Sequence, residues 1–151
     1  MTVAGIDYGT VRIGVAVSDY GRKMAFPLEM YTRRTPEQEA VYFKKLVQRE
    51  EIALFVVGLP AHLDGRISAK AREAMAFADW LTACTGIPVE FVDERFTSRE
   101  AENMMLGADM SRQKRKARRD ILAAQILLTT YLESGGLEFD GTAPEQVHGL
   151  E

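Results

Sequence analysis

The stretch TVAGIDYGTVRIGVAVS, residues 2–18, decides the fold. Residues 2–7 and 12–18 are apolar and rich in β-branched side chains, and the short segment between them contains Gly9. This pattern is typical of a β-hairpin. Residues 24–31 predict a third strand, in which Pro27 favours a sheet edge or a bulge. The chain is therefore expected to open with three consecutive strands.

Downstream of the hairpin, the apolar periodicity alternates between helix and strand. In chain order it predicts a helix after Thr35, a strand at 53–57, a helix from Ser68 to just before Gly86, a strand at 89–92, a helix from Thr97 to about residue 106, and a long helix at 115–133. This order predicts an α/β fold with a mixed five-stranded sheet, a three-strand meander plus two crossovers, flanked by helices. It matches the ribonuclease H-like fold in its order of elements. A fold alone does not establish an activity.

Composition and length predict one globular domain at residues 1–134. The chain has 151 residues, of which 46% are hydrophobic and 27% charged, which suits a single core. Residues 133–151 hold five acids and no Lys or Arg, with four Gly and one Pro. Residues 135–151 are accordingly predicted to be an acidic, disordered tail.

Several classes of protein are disfavoured. No apolar run approaches the roughly 20 residues of a membrane span, and no basic leader follows Met1. We therefore expect a cytoplasmic protein that does not bind membranes. A single cysteine, Cys84, and only two histidines, His62 and His148, provide neither a zinc cluster nor a convincing Cys–His catalytic pair.

Asp120 interrupts the apolar stripe of the long helix. A rotation of about 100° per residue sets it beside Ala124, Leu127 and Tyr131. An unpaired buried carboxylate is so costly that it must be neutralised, paired with a base or bound to a cation. Packing alone therefore does not explain Asp120.

Two other acidic positions lie at predicted strand ends. Asp7 ends the first strand, and Asp93 with Glu94 ends the last. Taken singly, Asp7 could cap its turn and the later pair could belong to an acidic helix start. Together with Asp120 they are expected to converge and to repel one another unless a cation is bound. Oxygen ligands without His or Cys predict Mg²⁺ (or Mn²⁺). Two such ions could activate water against a phosphodiester.

A basic run enters the same helix. Residues 111–119 contain six cations, namely Arg112, Lys114, Arg115, Lys116, Arg118 and Arg119. Alone, such a run is usually the solvated start of a helix. Its position just before Asp120 instead favours contact with a nucleic-acid backbone.

Four motifs carry a family resemblance. They are GIDYGTVRIGVAVSD at 5–19, VVGLP with HLDG within 56–65, VDERFTS at 92–98 and KARRDILAAQILL at 116–128. In this order and spacing the chain resembles the YqgF family, also called RuvX, over about residues 3–134. That family is described as ribonuclease H-like, related to Holliday junction resolvases, and as maturing the 5′ end of pre-16S ribosomal RNA.

The resemblance implies particular site residues. It places catalytic, metal-binding acids at Asp7, Glu94 and Asp120. It also implies substrate contacts from Arg12, Arg95, Thr97 and Ser98. The choice of Glu94 over Asp93 rests on its longer side chain, because strand phase alone does not decide between them. The chain departs from the family pattern at His62, where Asn is expected, and at Arg119, where an apolar residue is usual.

These observations predict a metal-dependent endonuclease, and the resemblance implies that it matures the 5′ end of pre-16S rRNA. The alternatives are a Holliday junction resolvase and a non-catalytic RNA-binding factor of ribosome assembly. An actin-like ATPase or sugar kinase, suggested by GIDYGT at 5–10, is disfavoured because the chain is too short for a second domain. The expected partners are nucleic acid, RNA favoured over DNA, and ribosome-assembly intermediates. We expect a monomer or a weak homodimer.

Overall fold

The computed structural model describes residues 1–60, 67–94 and 112–134, and for residues 112–120 only the helix backbone. The strands are β1 (Thr2–Asp7), β2 (Arg12–Ser18), β3 (Ala25–Thr32), β4 (Ile52–Leu59) and β5 (Val89–Asp93), and the helices are α1 (Pro36–Glu50), α2 (Ala69–Thr85) and α3 (Arg112–Ser134). Every strand and helix predicted in these ranges is confirmed, with boundaries shifted by a few residues. The loop at 61–66, the helix predicted from Thr97 to about residue 106 and the tail at 135–151 lie outside the described residues.

The strands form one mixed five-stranded sheet in the order β3-β2-β1-β4-β5. β2 is antiparallel to both of its neighbours, whereas β1, β4 and β5 run parallel. The predicted meander with two crossovers is confirmed. Pro27 lies on the edge strand β3, opposite an irregularity between Val15 and Ala16, as expected for a residue that cannot donate a backbone hydrogen bond.

Local sequence signals set the ends of α1 and α2. Thr35 and Gln38 form a reciprocal capping box at the start of α1, and Ser68 accepts a hydrogen bond from the amide of Ala71 at the start of α2. α2 ends at Gly86, whose φ of 76° suits glycine. No helix in the described ranges has the length and apolarity that crossing a bilayer requires.

The two faces of the sheet are covered by different helices. Along β1, Ala4 and Ile6 belong to a core shared with α1 and α2, whereas Val3 packs in a second core with α3. Phe43 lies within the first core and makes an edge contact with the ring of Phe77, at 5.8 Å between centroids. Strand alternation therefore assigns every second residue to the α3 face.

Glycines let α3 lie close to the sheet. A Cβ at Gly5 would stand 2.8 Å from Leu128 Cβ and 2.9 Å from the Ala124 carbonyl oxygen, and one at Gly58 would stand 2.3 Å from Leu127 Cδ1. All three distances are shorter than ordinary van der Waals contacts. A larger residue in β1 or β4 would push the helix away.

The contacts also fix the direction of α3. The hydroxyl of Tyr131 donates a hydrogen bond to the carboxylate of Glu90, near the start of β5. Leu127, one turn earlier in the helix, reaches Gly58, which lies beside Glu94 at the end of β5. α3 thus runs antiparallel to β5, and its N-terminal half extends toward the carboxyl ends of the parallel strands.

Adding one methyl group to Gly5 should destabilise the protein. We expect Gly5→Ala to lower the free energy of unfolding by about 1–3 kcal/mol, because the methyl group overpacks the interface with α3. Urea denaturation followed by circular dichroism measures this. The control is Gly21→Ala, where the nearest atom to a new Cβ, Asp19 Oδ2, is 3.6 Å away. Equal stability of Gly5→Ala and wild type would contradict the close packing.

Candidate active site

A cavity of about 670 Å³ opens at the carboxyl ends of β1, β4 and β5. Its lining includes both Asp7 and Glu94, so two of the three predicted acids are together. In open α/β sheets, ligands bind at the carboxyl ends of strands. This cavity is the candidate active site.

Asp7 reaches the cavity because of its phase in β1. Val3 packs toward α3, and Gly5 lies against Ala124 and Leu128 of that helix. Side chains alternate along a strand, so Asp7 lies on the α3 face as well. It pairs in register with Gly14 of β2, which also lines the cavity. The hairpin predicted from the sequence thus presents its acid at the open end of the sheet.

The same alternation separates Asp93 from Glu94. On β5, Glu90 contacts Tyr131 and Val92 packs in the core beneath α3. Glu94 continues that phase, whereas Asp93 is out of phase with it. Of the two acids, Glu94 is the one that lines the cavity with Asp7. Glu94, the residue chosen from side-chain length, is thus the one of the two acids that the structure brings to the cavity.

Glu94 is a half-buried carboxylate in an unfavourable position for its charge. Burial raises its pKa above the ordinary value, the charge of Lys70 acts in the opposite direction, and the neighbouring Asp93 adds to the rise. Desolvation penalises the ionised form unless a positive charge compensates it. Glu94 therefore favours either a proton or a cation.

The residues present fit a hard divalent cation. Gly58 leaves room for the Glu94 carboxylate, since a Cβ there would stand 2.6 Å from Oε1. Asp7 and Glu94 together offer oxygen donors, which Mg²⁺ and Mn²⁺ prefer. The described side chains include no group of three or more potential metal ligands. The third predicted acid, Asp120, lies in α3 where only the backbone is described.

The structure describes some of the residues that are predicted to contact substrate, and others lie outside the described ranges. Arg12, which is exposed at the start of β2, and Thr10 both line the cavity. Arg95, Thr97 and Ser98 lie outside the described residues. The basic residues Arg112, Lys114, Arg115 and Lys116 belong to the first turns of α3, but their side chains are not described.

Two charged residues that line the cavity were not predicted from the sequence. Lys70 and Glu73, on the first turns of α2, line the cavity opposite the hairpin. The order of elements could have indicated these two residues, because a crossover helix begins near the carboxyl end of the strand before it, here β4. The exposed residues of the first α2 turn could have been considered on that ground.

Comparison with known proteins identifies a family and close relatives of the chain. A family model described as "RuvX: Holliday junction resolvase" matches residues 1–134. A protein of Rhodopirellula baltica, named as a candidate pre-16S rRNA nuclease, is 47% identical over 132 residues, which cover 87% of this chain and 76% of the relative. A protein of Halothermothrix orenii with the same name is 39% identical and covers 87% of this chain and 94% of the relative.

Solved structures share the fold. RuvC of Thermus thermophilus, in complex with a Holliday junction substrate, superimposes with a TM-score of 0.55 at 18% identity, covering 89% of this chain and 97% of RuvC. The fowlpox virus Holliday junction resolvase gives a TM-score of 0.52 at 11% identity, covering 89% of this chain and 99% of the resolvase. At these identities the likeness concerns the fold alone.

The buried charge of Glu94 should make stability depend on pH. The raised pKa means that the folded chain keeps this proton at a higher pH than the unfolded chain, whose reference value is 4.5. The free energy of unfolding therefore falls as pH rises from about that value through the folded pKa. We expect Glu94→Gln to remove this loss and to be more stable than wild type at pH 7 without divalent cations.

Urea denaturation between pH 4 and pH 8 in the presence of a chelator measures the effect. The control is Glu73→Gln, the same substitution at an exposed carboxylate of the same cavity, for which we expect a smaller gain. A Glu94→Gln variant that is less stable than wild type across this range would refute the explanation by desolvation.

Proposed function

Because the chain belongs to the RuvX family, we propose that it is a metal-dependent endonuclease that hydrolyses phosphodiester bonds of pre-16S ribosomal RNA near its 5′ end. The observation that carries the proposal is the convergence of Asp7 and Glu94 on one cavity at the carboxyl ends of β1 and β5.

Asp7 and Glu94 would hold the metal together with Asp120. The direction of α3 supports the inclusion of Asp120. Tyr131 bonds Glu90 near the start of β5, and Leu127 lies at Gly58 of β4, beside Glu94. Asp120 lies about two turns further along the same helix in that direction. Asp7, Glu94 and Asp120 thus form the proposed catalytic and metal-binding set.

When bound, Mg²⁺ or Mn²⁺ would lower the pKa of water and stabilise the charge that develops on the phosphate. The chain's own residues bind and orient the substrate. Arg12 lies exposed at the cavity and can pair with a phosphate oxygen, and the Thr10 hydroxyl beside it can donate a hydrogen bond. Arg95, Thr97, Ser98 and the basic first turns of α3 are proposed to extend this contact along the nucleic-acid backbone.

RNA is the favoured substrate because the relatives from Rhodopirellula baltica and Halothermothrix orenii carry the name of a pre-16S rRNA nuclease. The proposed setting is the cytoplasm, on ribosome-assembly intermediates. A four-way DNA junction is the second candidate, because the family description names Holliday junction resolvases. Such an enzyme would act as a dimer that presents two sites to a symmetric junction.

Removing either described carboxylate should abolish cleavage. Loss of a residue that merely orients a metal ligand typically costs 10- to 100-fold in affinity or activity, so we expect Asp7→Asn and Glu94→Gln each to lower kcat/KM by about 100-fold or more. The substitutions are nearly isosteric, so the fold should persist. The assay uses a 5′ fragment of precursor 16S RNA and, separately, a four-way DNA junction, each with Mg²⁺ or Mn²⁺.

The control is Asp79→Asn, the same change at an exposed acid of α2 that is not among the residues lining the cavity. It should cleave like wild type. Cleavage of the junction alone would establish the resolvase alternative. If wild type binds RNA but cuts neither substrate with either metal, the chain is an RNA-binding assembly factor and the nuclease proposal is wrong.

A further inference from the structure

We infer that Arg33 is a positioning residue that holds the hairpin turn at residues 8–11 in place, and thereby the adjacent Asp7, without touching the substrate. This inference rests on the proposed nuclease function. The turn joins Asp7 to Arg12 and forms one wall of the cavity. Arg33 approaches it from the side of α1 and α2.

Arg33 is bonded to the turn at three points, two through its side chain and one through its backbone amide. Arg33 Nη1 donates hydrogen bonds to the Tyr8 hydroxyl at 3.1 Å and to the Gly9 carbonyl oxygen at 3.4 Å. The backbone amide of Arg33 donates to the Val11 carbonyl oxygen at 2.9 Å. Three of the four turn residues are therefore bonded to Arg33.

The guanidinium itself is anchored by a buried carboxylate. Its Nε and Nη2 donate to the two oxygens of Glu39 at 3.1 and 2.9 Å. Glu39 is 2% exposed and also accepts a hydrogen bond from the Arg34 amide at 3.0 Å. A bidentate pair fixes the orientation of the guanidinium plane as well as its position. Arg33 is thus a rigid link between α1 and the turn.

Two aromatic rings also lie against the guanidinium of Arg33. The guanidinium carbon lies 5.2 Å from the centre of the Tyr8 ring and 5.5 Å from that of Phe77, and the two rings are 5.1 Å apart. These are cation–π distances. A lysine could keep the charge near Glu39, but it has no planar fork to bond Glu39, Tyr8 and Gly9 at once.

A shift of the turn would be passed on to Asp7. A Cβ at Gly9 would stand 2.3 Å from the Arg12 carbonyl oxygen, so the backbone closes tightly on itself there. Tyr8 follows Asp7 directly, so a shift of the Tyr8 backbone also displaces the end of β1. Catalysis by positioned groups is sensitive to such displacements, since an error of about 1 Å can cost about 100-fold in rate.

The test compares two changes at this cluster with a matched surface change. Arg33→Lys keeps the charge and removes the fork. The double variant Arg33→Met with Glu39→Gln replaces the buried ion pair by neutral groups of similar size, which proteins often tolerate. The control is Arg49→Lys, because Arg49 also binds two carboxylates, those of Glu29 and Glu50, but is half-exposed on α1.

Two readouts separate positioning from stability. In cleavage of the precursor 16S RNA fragment, we expect Arg33→Lys and the double variant to lower kcat about 10- to 100-fold while KM changes by less than about threefold. Hydrogen exchange followed by mass spectrometry should show faster exchange confined to the turn and its flanks. Arg49→Lys should match wild type in both measurements.

Unchanged kcat in folded Arg33 variants would overturn the inference, even if their unfolding temperature fell, because the pair would then serve stability alone. Wild-type exchange rates at the turn in these variants would overturn it as well. If wild type cuts no substrate, the proposed function fails, and the exchange data still decide the role of Arg33: loss of protection confined to the turn supports it, and retained protection refutes it.

Discussion

The close contact between α3 and the sheet is the constraint on which the rest of the structure depends. It is possible only because β1 and β4 carry glycine where the helix crosses them, at Gly5 and Gly58. The same contact divides the strand residues into two sets, one beneath α3 and one beneath α1 and α2. Asp7 and Glu94 both belong to the set beneath α3. The packing of α3 and the proposed chemistry therefore depend on the same face of the sheet.

Much of this arrangement is readable from the sequence, because its signals are local. Alternating β-branched residues mark β1 and β2, and side-chain caps at Thr35 and Ser68 mark the helix starts. The order of elements then leaves few possible topologies, since crossovers between parallel strands are right-handed. Asp7 could be placed at the open end of the sheet on that basis alone.

The remaining parts required the tertiary structure. Which of Asp93 and Glu94 lines the cavity depends on which face of β5 lies under α3. That face is identified by the hydrogen bond between Glu90 and Tyr131, which is distant in sequence. Lys70 reaches the cavity through the path of the crossover. Arg33 gave no sequence signal, because an arginine before a helix is usually solvated and its partner Glu39 sits on an otherwise ordinary helix. Such contacts arise between elements and leave no periodicity to detect.

The sheet order has a consequence for the time at which the cavity forms. β1 is synthesised before its parallel partner β4, and β5 follows later still. Non-local parallel pairing is slow, because a long loop must close before any contact forms. Asp7 is therefore not joined by Glu94 until β5 has paired with β4. On the proposed assignment of Asp7 and Glu94, a chain still being synthesised therefore lacks the complete site until β5 has paired with β4.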